Sequence, residues 1–363
     1  MTAKIMHVSG QMARGGAERQ LLLVAEALAW RGWSQSVVIF NVGDPWQESF
    51  ASFGVPIHLI PRHRLKLWRL MRLSLLALRE HPDVVHSWSS HTNVYTTISL
   101  FPAGTKRLLS FRGNPMVDNR TGQARTEFAN ASIYRRADCI ISNSRAALAS
   151  VGAALAGQHT AVVGNITLAR GRASPGEVVS RPRLIAAGEL KPLKAFDVLL
   201  RALGLLKAEG AAFDLMLAGE GSEKAALIAL AAELNLSECV HFCGEVADVP
   251  ALCAGAHLLV HPSRSEGLSN TILEGMAEGL PVIACAVGGN SEIIDHERSG
   301  LLVPPDDPPA LAQQIRRLLD DAALRQRLGN AALEDVRTRC NQETVVRQYE
   351  AVYNALLNPT KAL

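Results

Sequence analysis

Leu258-Leu-Val-His261-Pro-Ser-Arg-Ser-Glu266-Gly-Leu-Ser-Asn270-Thr-Ile-Leu-Glu274 reads as a short apolar strand, a loop of turn formers and the opening of a helix near Asn270. The strand is apolar without alternation, the pattern of a strand covered on both faces. Working outward, the same unit recurs. Strands are expected at 184–187, 214–218, 240–242, 282–284 and 301–303, with helices such as 196–209 and 223–234 between them. Apolar strands alternating with helices of this length predict an α/β domain with a doubly wound parallel sheet. The N-terminal half repeats the pattern, with strands at 5–9, 37–40, 84–88, 107–111, 139–142 and 160–163 and helices at 17–30, 65–79, 123–136 and 145–155. A second doubly wound domain is therefore expected.

The change of text at Ala169-Arg-Gly-Arg-Ala-Ser-Pro-Gly, rich in turn formers, marks 169–182 as a linker. The expected domains are 1–168 and 183–342. The last helix carries Val345, Val346, Tyr349, Val352, Tyr353 and Leu356 at helical spacing, and 343–363 is expected to cross back, pack on the first domain and brace the pair. A chain of 363 residues suits two cores.

Composition is that of a folded protein, with 48% hydrophobic and 20% charged residues. The net charge of +3 selects no partner class. The six cysteines lack paired spacing and read as reduced core residues; Cys239 and Cys243, around His241, fall in a strand pattern and do not read as a metal site. With no apolar run of about 20 residues and no secretory-type N-terminus, a cytoplasmic protein is expected. One stretch, Arg62-His-Arg-Leu-Lys-Leu-Trp-Arg-Leu-Met-Arg72, is basic and amphipathic. It fits either a peripheral helix on an anionic membrane, with Trp68 at headgroup level, or a helix packing Leu65, Trp68 and Leu73 on its own domain.

Ligands of open parallel sheets bind beyond the carboxyl ends of the strands. The loop after Leu258–His261 offers amides at Gly267, Leu268 and Ser269 and the N-terminus of the helix at Asn270 to a phosphate, with the Thr271 hydroxyl as a further donor. Two carboxylates frame it. Glu266 suits sugar hydroxyls, and Glu274, about a turn into the helix, suits both hydroxyls of a ribose. A second loop, Ala286-Val-Gly288-Gly289-Asn290-Ser291-Glu292, follows the next strand, and its paired glycines permit close backbone approach to a ligand.

Glu266-x7-Glu274, followed by Gly-Met-Ala-Glu-Gly-Leu-Pro281 and Gly288-Gly289-x-x-Glu292, closely resembles the signature of retaining glycosyltransferase family 4. The resemblance covers nearly the whole chain, closely from Leu184 to Val303 and more loosely before that. It implies the GT-B architecture, two Rossmann-like domains facing a cleft. It also implies that Glu266 touches the donor sugar, Glu274 the ribose, and the amides of 267–269 with Thr271 the diphosphate. Gly15-Gly16-Ala-Glu18 is similar to the family's first glycine loop, where backbone approaches diphosphate and sugar.

Two positions depart from the family. Its basic pair Gly-Arg-Leu-x-x-x-Lys is here Gly188-Glu189-Leu190-Lys191-Pro-Leu-Lys194, which keeps Lys194 and places Glu189 where Arg is usual. Lys191 is expected to supply the missing charge, with Arg264 as another cation near the diphosphate. Where many relatives carry a catalytic-pocket His, Leu109-Ser-Phe-Arg112-Gly-Asn114 presents Arg112, whose fork suits a phosphate. His86, His91 and Asn114 are candidate acceptor-pocket residues.

The resemblance implies transfer of a sugar from a UDP- or GDP-type donor to a saccharide or lipid-linked saccharide, with retention. No side chain in these loops is an obvious covalent nucleophile. Lys194, helix N-terminal amides and Arg112 would stabilise the departing diphosphate, with no cofactor or metal required. Three alternatives stay open: a silent sugar-nucleotide-binding subunit, a sugar-nucleotide epimerase or hydrolase on the same fold, and an oxidoreductase, against which stands the lack of a complete Gly-x-Gly-x-x-Gly after the first strand.

Overall fold

The computed structural model describes residues 3–10, 15–41, 46–61, 63, 66–113, 134–171, 181–246 and 248–358. They form two compact units, one of residues up to Ile166 together with the chain from Gln342, the other of Thr167–Asn341. Most of the expected linker, the helix at 123–136 and Asn114 lie outside the described residues.

The first unit contains β1 (Lys4–Ser9), α1 (Gly16–Trp30), β2 (Ser34–Ile39), α2 (Gln47–Ser52), β3 (Ile57–Leu59), α3 (Lys66–Glu80), β4 (Val84–Ser87), α4 (Ser90–Ile98), β5 (Lys106–Phe111), β6 (Cys139–Ser142), α5 (Arg145–Ser150) and β7 (Thr160–Val162). Its seven strands, all parallel, run in the order β3-β2-β1-β4-β5-β6-β7. The chain moves outward from β1 to β3, returns to β4 beside β1, and moves outward the other way, so the switch point lies between β1 and β4.

Three elements here were not expected from the sequence, and the six-residue α2 is the first of them. β3 is a three-residue edge strand after Pro56, too short for its periodicity to register. α4 is rich in Ser, Thr and Asn, poor helix formers, yet it is opened by a reciprocal cap: Ser89 Oγ accepts from Thr92 N–H at 3.3 Å and Thr92 Oγ1 accepts from Ser89 N–H at 3.1 Å.

The second unit contains β8 (Arg183–Ala187), a 3₁₀ turn (Pro192–Lys194), α6 (Phe196–Ala208), β9 (Asp214–Ala218), α7 (Lys224–Glu233), β10 (Val240–Gly244), α8 (Val249–Ala254), β11 (Leu258–His261), α9 (Asn270–Ala277), β12 (Val282–Cys285), α10 (Asn290–Ile293), β13 (Leu301–Val303), α11 (Pro308–Asp320) and α12 (Ala322–Arg339). Its six parallel strands run β10-β9-β8-β11-β12-β13, with the switch point between β8 and β11. Cys239 and His241 belong to the edge of this sheet, and His241 is exposed there.

The final helix α13 (Gln342–Leu357) belongs to the first unit, where Val345, Val346, Tyr349 and Tyr353 are buried against α1 and the sheet. Polar contacts fix its register: Arg31 pairs with Glu350 at 2.8 Å and with Glu343, and Trp33 Nε1 donates to Glu350 Oε1 at 3.0 Å.

Candidate functional site

The second unit gathers its polar side chains at the carboxyl ends of β8 and β11, the neighbouring strands at its switch point. After β8 the chain turns at Gly188, whose φ of +155° lies in the range that glycine tolerates. Backbone bonds hold this turn to the loop after β9: Gly188 N–H donates to Ala218 O at 3.0 Å, Leu190 N–H to Glu220 O at 2.8 Å, and Glu223 N–H to Leu190 O at 2.9 Å. The 3₁₀ turn then brings Lys194 back over the end of β11.

There Lys194 Nζ lies 2.5 Å from Glu266 Oε1, and His261 Nε2 lies 2.8 Å from the same oxygen. Their side chains are nearly enclosed, with 18%, 11% and 1% exposure for Lys194, Glu266 and His261. Burial works against ionisation of Glu266, but the Lys194 charge and the His261 hydrogen bond outweigh it and hold the carboxyl well below the usual range. Burial lowers the His261 pKa and Lys194 lowers it further, against the pull of Glu266. The contact is therefore a neutral imidazole donating through Nε2–H rather than an ion pair. Ser263 Oγ lies 3.1 Å from the same nitrogen, and Nδ1 finds no partner among the described residues. His261 was not singled out in the sequence, although a lone histidine closing an apolar strand five residues before Glu266 was the available signal.

Arg264 does not serve as a free cation. Its guanidinium forks onto Asp197 at 3.1 and 2.9 Å, bonds Asp306 at 2.6 Å and donates to Pro192 O, while its backbone N–H reaches Leu193 O. Burial would lower its pKa, but Asp197 and Asp306 raise it. Arg264 thus clamps the segment that carries Lys194 onto the loop that carries Glu266. Lys191 is also engaged: its Nζ sits 2.8 Å from Glu189 Oε2, and the Glu189 side chain is exposed. The carboxylate at the unusual position is turned out to solvent and partly neutralises the lysine expected to compensate for it.

Helix α9 begins where the sequence places it. Ser269 is its N-cap, with Oγ accepting from Ile272 N–H at 3.4 Å. Thr271 Oγ1 donates to Ala187 O at 3.4 Å, which ties the helix start to the end of β8. Leu268 is buried among the apolar side chains beneath the loop. Asn270, the first residue of α9, is half-buried, and Glu274 lies deeper in the helix with 8% exposure.

The paired glycines of the neighbouring loop, expected to permit close approach to a ligand, make a close approach to protein backbone. Gly288 has φ +52°, and a Cβ there would stand 1.9 Å from Glu266 O. Gly289 N–H donates to Gly267 O at 2.7 Å. The two loops are stapled directly under Glu266 and Gly267.

The first unit holds the remaining candidates. Gly15 is the N-cap of α1 in an extended conformation, and Gly16 is its first residue. A side chain at Gly15 would collide with Glu18. His91, exposed at the start of α4, flanks Gly10 beyond the end of β1 and meets Tyr95 edge-on at 5.2 Å. Partial burial and the Arg69 charge lower its pKa.

His86 cannot line an acceptor pocket here. It is wholly buried, with Nδ1 2.8 Å from Tyr353 Oη and Nε2 2.6 Å from Ser110 Oγ. Arg112 is held by the same cluster: its guanidinium stacks 4.4 Å from the Trp88 ring centroid, donates to Asn165 Oδ1 at 3.3 Å and bonds the Tyr349 hydroxyl. The fork expected to face a phosphate is instead largely occupied in joining β5 to α13.

Residues 14–165 match the family model Glycosyltransferase Family 4, and residues 181–321 match Glycosyl transferases group 1. The chain is 29% identical over 362 residues to the lipopolysaccharide core biosynthesis glycosyltransferase LpsD of Rhizobium meliloti, covering 95% of this chain and 96% of LpsD. Among solved structures, Anabaena HepE in complex with UDP and glucose superposes with a TM-score of 0.83 at 21% identity, covering 96% and 99% of the two chains. The sucrose-phosphate synthase of Thermosynechococcus elongatus gives 0.84 at 23% identity, covering 98% and 100%.

Proposed function

The chain is a glycosyltransferase of GT-B type, similar to family 4 in both of its halves, and we propose that it moves a sugar from a UDP- or GDP-linked donor to a saccharide or lipid-linked saccharide with retention of configuration. The observation that carries this reading is the convergence of Lys194, Glu266 and His261 at the switch point of the second sheet. A cation and an ionised carboxylate, held together and nearly enclosed, match the two ends of a sugar diphosphate. Lys194 turns to the departing diphosphate, and Glu266, kept anionic, accepts hydrogen bonds from sugar hydroxyls. The start of α9 receives phosphate oxygens. Glu274 binds the ribose.

In this reading catalysis is by positioning and by charge on the leaving group. The departing phosphate oxygen takes the acceptor proton, and neither a metal nor a cofactor is required. The similarity along nearly the whole chain to a lipopolysaccharide core biosynthesis glycosyltransferase supports a role in surface polysaccharide or glycolipid synthesis. One observation favours a second reading, a silent donor-binding subunit: Glu189 occupies the usual Arg position and draws on the charge of Lys191.

A panel of nucleotide sugars separates the two, with thermal shift reporting binding and diphosphate release reporting turnover, and Glu274→Ala as control. Stabilisation by one donor, abolished by the substitution and joined by acceptor-dependent release, is the expected result. Stabilisation without release for any acceptor establishes the silent subunit, and no stabilisation by any donor refutes the donor site.

A further inference from the structure

Helix α3 has two apolar faces, and only one is used by the fold. Leu73 and Ala77 are buried, and Trp68 and Leu76 are packed beside them, against Met6, Val38, Phe40 and Val85. Arg69 is also turned inward, its Nη2 donating to Phe40 O at 3.0 Å and its guanidinium lying 4.9 Å from the Phe40 ring centroid. Leu67, Met71, Leu75 and Leu78 remain exposed, Leu67 to 74%. At about 100° per residue these four fall within a wedge of about 80°, and Arg79 and Arg72 follow on one flank. The stripe runs about 17 Å along the helix.

It is continued by the next elements. Leu100 N–H donates to Ser74 Oγ at 2.9 Å, which sets the 72% exposed Leu100 beside the stripe, two residues after the exposed Ile98. Isolated exposed leucines are ordinary, but a contiguous set on adjoining elements marks a binding surface.

The charges around this surface select its partner. Among the described residues, Arg72 and Arg79 of α3 are exposed beside the stripe, and the acids of the neighbouring chain are Glu80 and Asp83. Both acids are bound to Lys4: Glu80 pairs with its Nζ at 2.5 Å and Asp83 accepts its backbone N–H at 2.7 Å. An apolar strip bordered by arginines, with Glu80 paired to Lys4, complements a bilayer of anionic headgroups, where leucines enter the acyl boundary and guanidinium groups meet phosphates.

We propose that the Leu67-Met71-Leu75-Leu78 face of α3, with Leu100 and the flanking Arg72 and Arg79, docks the protein on an anionic lipid surface. Of the two readings of Trp68 left open by the sequence, the structure packs it partly against the domain core, so the lipid-facing side chains are others. This inference stands apart from the donor site, which lies in the other unit.

The test is co-sedimentation of the full chain with vesicles of phosphatidylcholine alone or with one-third phosphatidylglycerol. Binding to the anionic vesicles should exceed binding to the neutral ones by more than tenfold and fall with added salt. Arg72→Ala and Arg79→Ala should each weaken it about fivefold. Met71→Ser with Leu75→Ser should weaken it more than tenfold and leave the melting temperature and nucleotide-sugar binding unchanged, because both side chains face solvent. No pelleting with anionic vesicles, or equal pelleting of the double variant, overturns the proposal. Concentration-dependent dimerisation without lipid, abolished by the double variant, also overturns it by assigning the face to a second copy of the chain.

Discussion

Gly288→Ala isolates the staple between the two loops of the second unit. The added Cβ would stand 1.9 Å from Glu266 O and 2.9 Å from its carbonyl carbon. Ordinary contact lies near 3.5 Å, so one loop must retreat by about 1.5 Å. The left-handed backbone adds about 1 kcal/mol for alanine, and forced repacking adds about 2 kcal/mol. A loss of about 3 kcal/mol lowers the melting temperature of a unit of this size by roughly 6–12 °C. Glu266 moves with its backbone, and displacement of a positioning carboxylate by about 1 Å costs about a hundredfold in kcat. Gly210→Ala is the control, since Gly210 has φ +80° but open space where its Cβ would go. It should show the conformational penalty alone, about 1 kcal/mol, with full activity. Thermal melting and a transfer assay with the identified donor read both effects. Equal melting temperatures and equal kcat for the two variants would refute the staple.

Lys194→Met should reduce kcat by at least about a hundredfold, measured at saturating donor, because the leaving diphosphate loses its cation. Its melting temperature should also fall clearly, because the nearly enclosed Glu266 carboxylate is left without its cation. Tyr353→Phe should destabilise the first unit by about 1–2 kcal/mol in urea denaturation, since Nδ1 of the buried His86 loses its partner. Acid should act on the same unit through His7, whose pKa burial lowers from 6.5 to about 4 despite the hydrogen bond that its Nε2–H donates to Gln35 Oε1, which raises it. Between those values the unfolded chain binds a proton that the folded one refuses. Stability is therefore full above about pH 6.5 and declines as the pH falls to about 4, by about 3 kcal/mol from this residue. Burial lowers His86 in the same direction. Denaturation midpoints measured from pH 7 to pH 4 should show the decline; a flat profile, or one unchanged by His7→Gln, would refute it.

Much of the fold was legible because parallel strands covered on both faces are written as unbroken apolar runs, and Leu258–Val260 or Val282–Cys285 admit few other readings. The start of α9 was legible for a similar reason, since Ser269 and the turn residues before it form a local signal. α2, β3 and α4 were missed, the first two for their shortness and the third because its cap overrides weak propensity. Glu266 and Glu274 were legible as candidates from their places in the loop and helix after an apolar strand, and Lys194 from the resemblance to the family's basic pair.

The partners of those residues are another matter. Arg264 and Lys191 are cations in the sequence, yet Asp197, Asp306 and Glu189 occupy them, and Arg264 holds a loop that begins more than sixty positions away. His86 reads as a strand-end candidate, but Tyr353, 267 residues later, closes over it. Gly288 is a permissive glycine in the sequence, and the structure adds that a side chain there would collide with the backbone of Glu266. The sequence by itself determined where strands, helices and a nucleotide-sugar signature lie, because each depends on neighbours within a few residues. Only the tertiary structure decided which charges are free, which histidines are enclosed and which face of α3 is left to solvent, because burial and pairing are set by segments that the chain brings together from far apart.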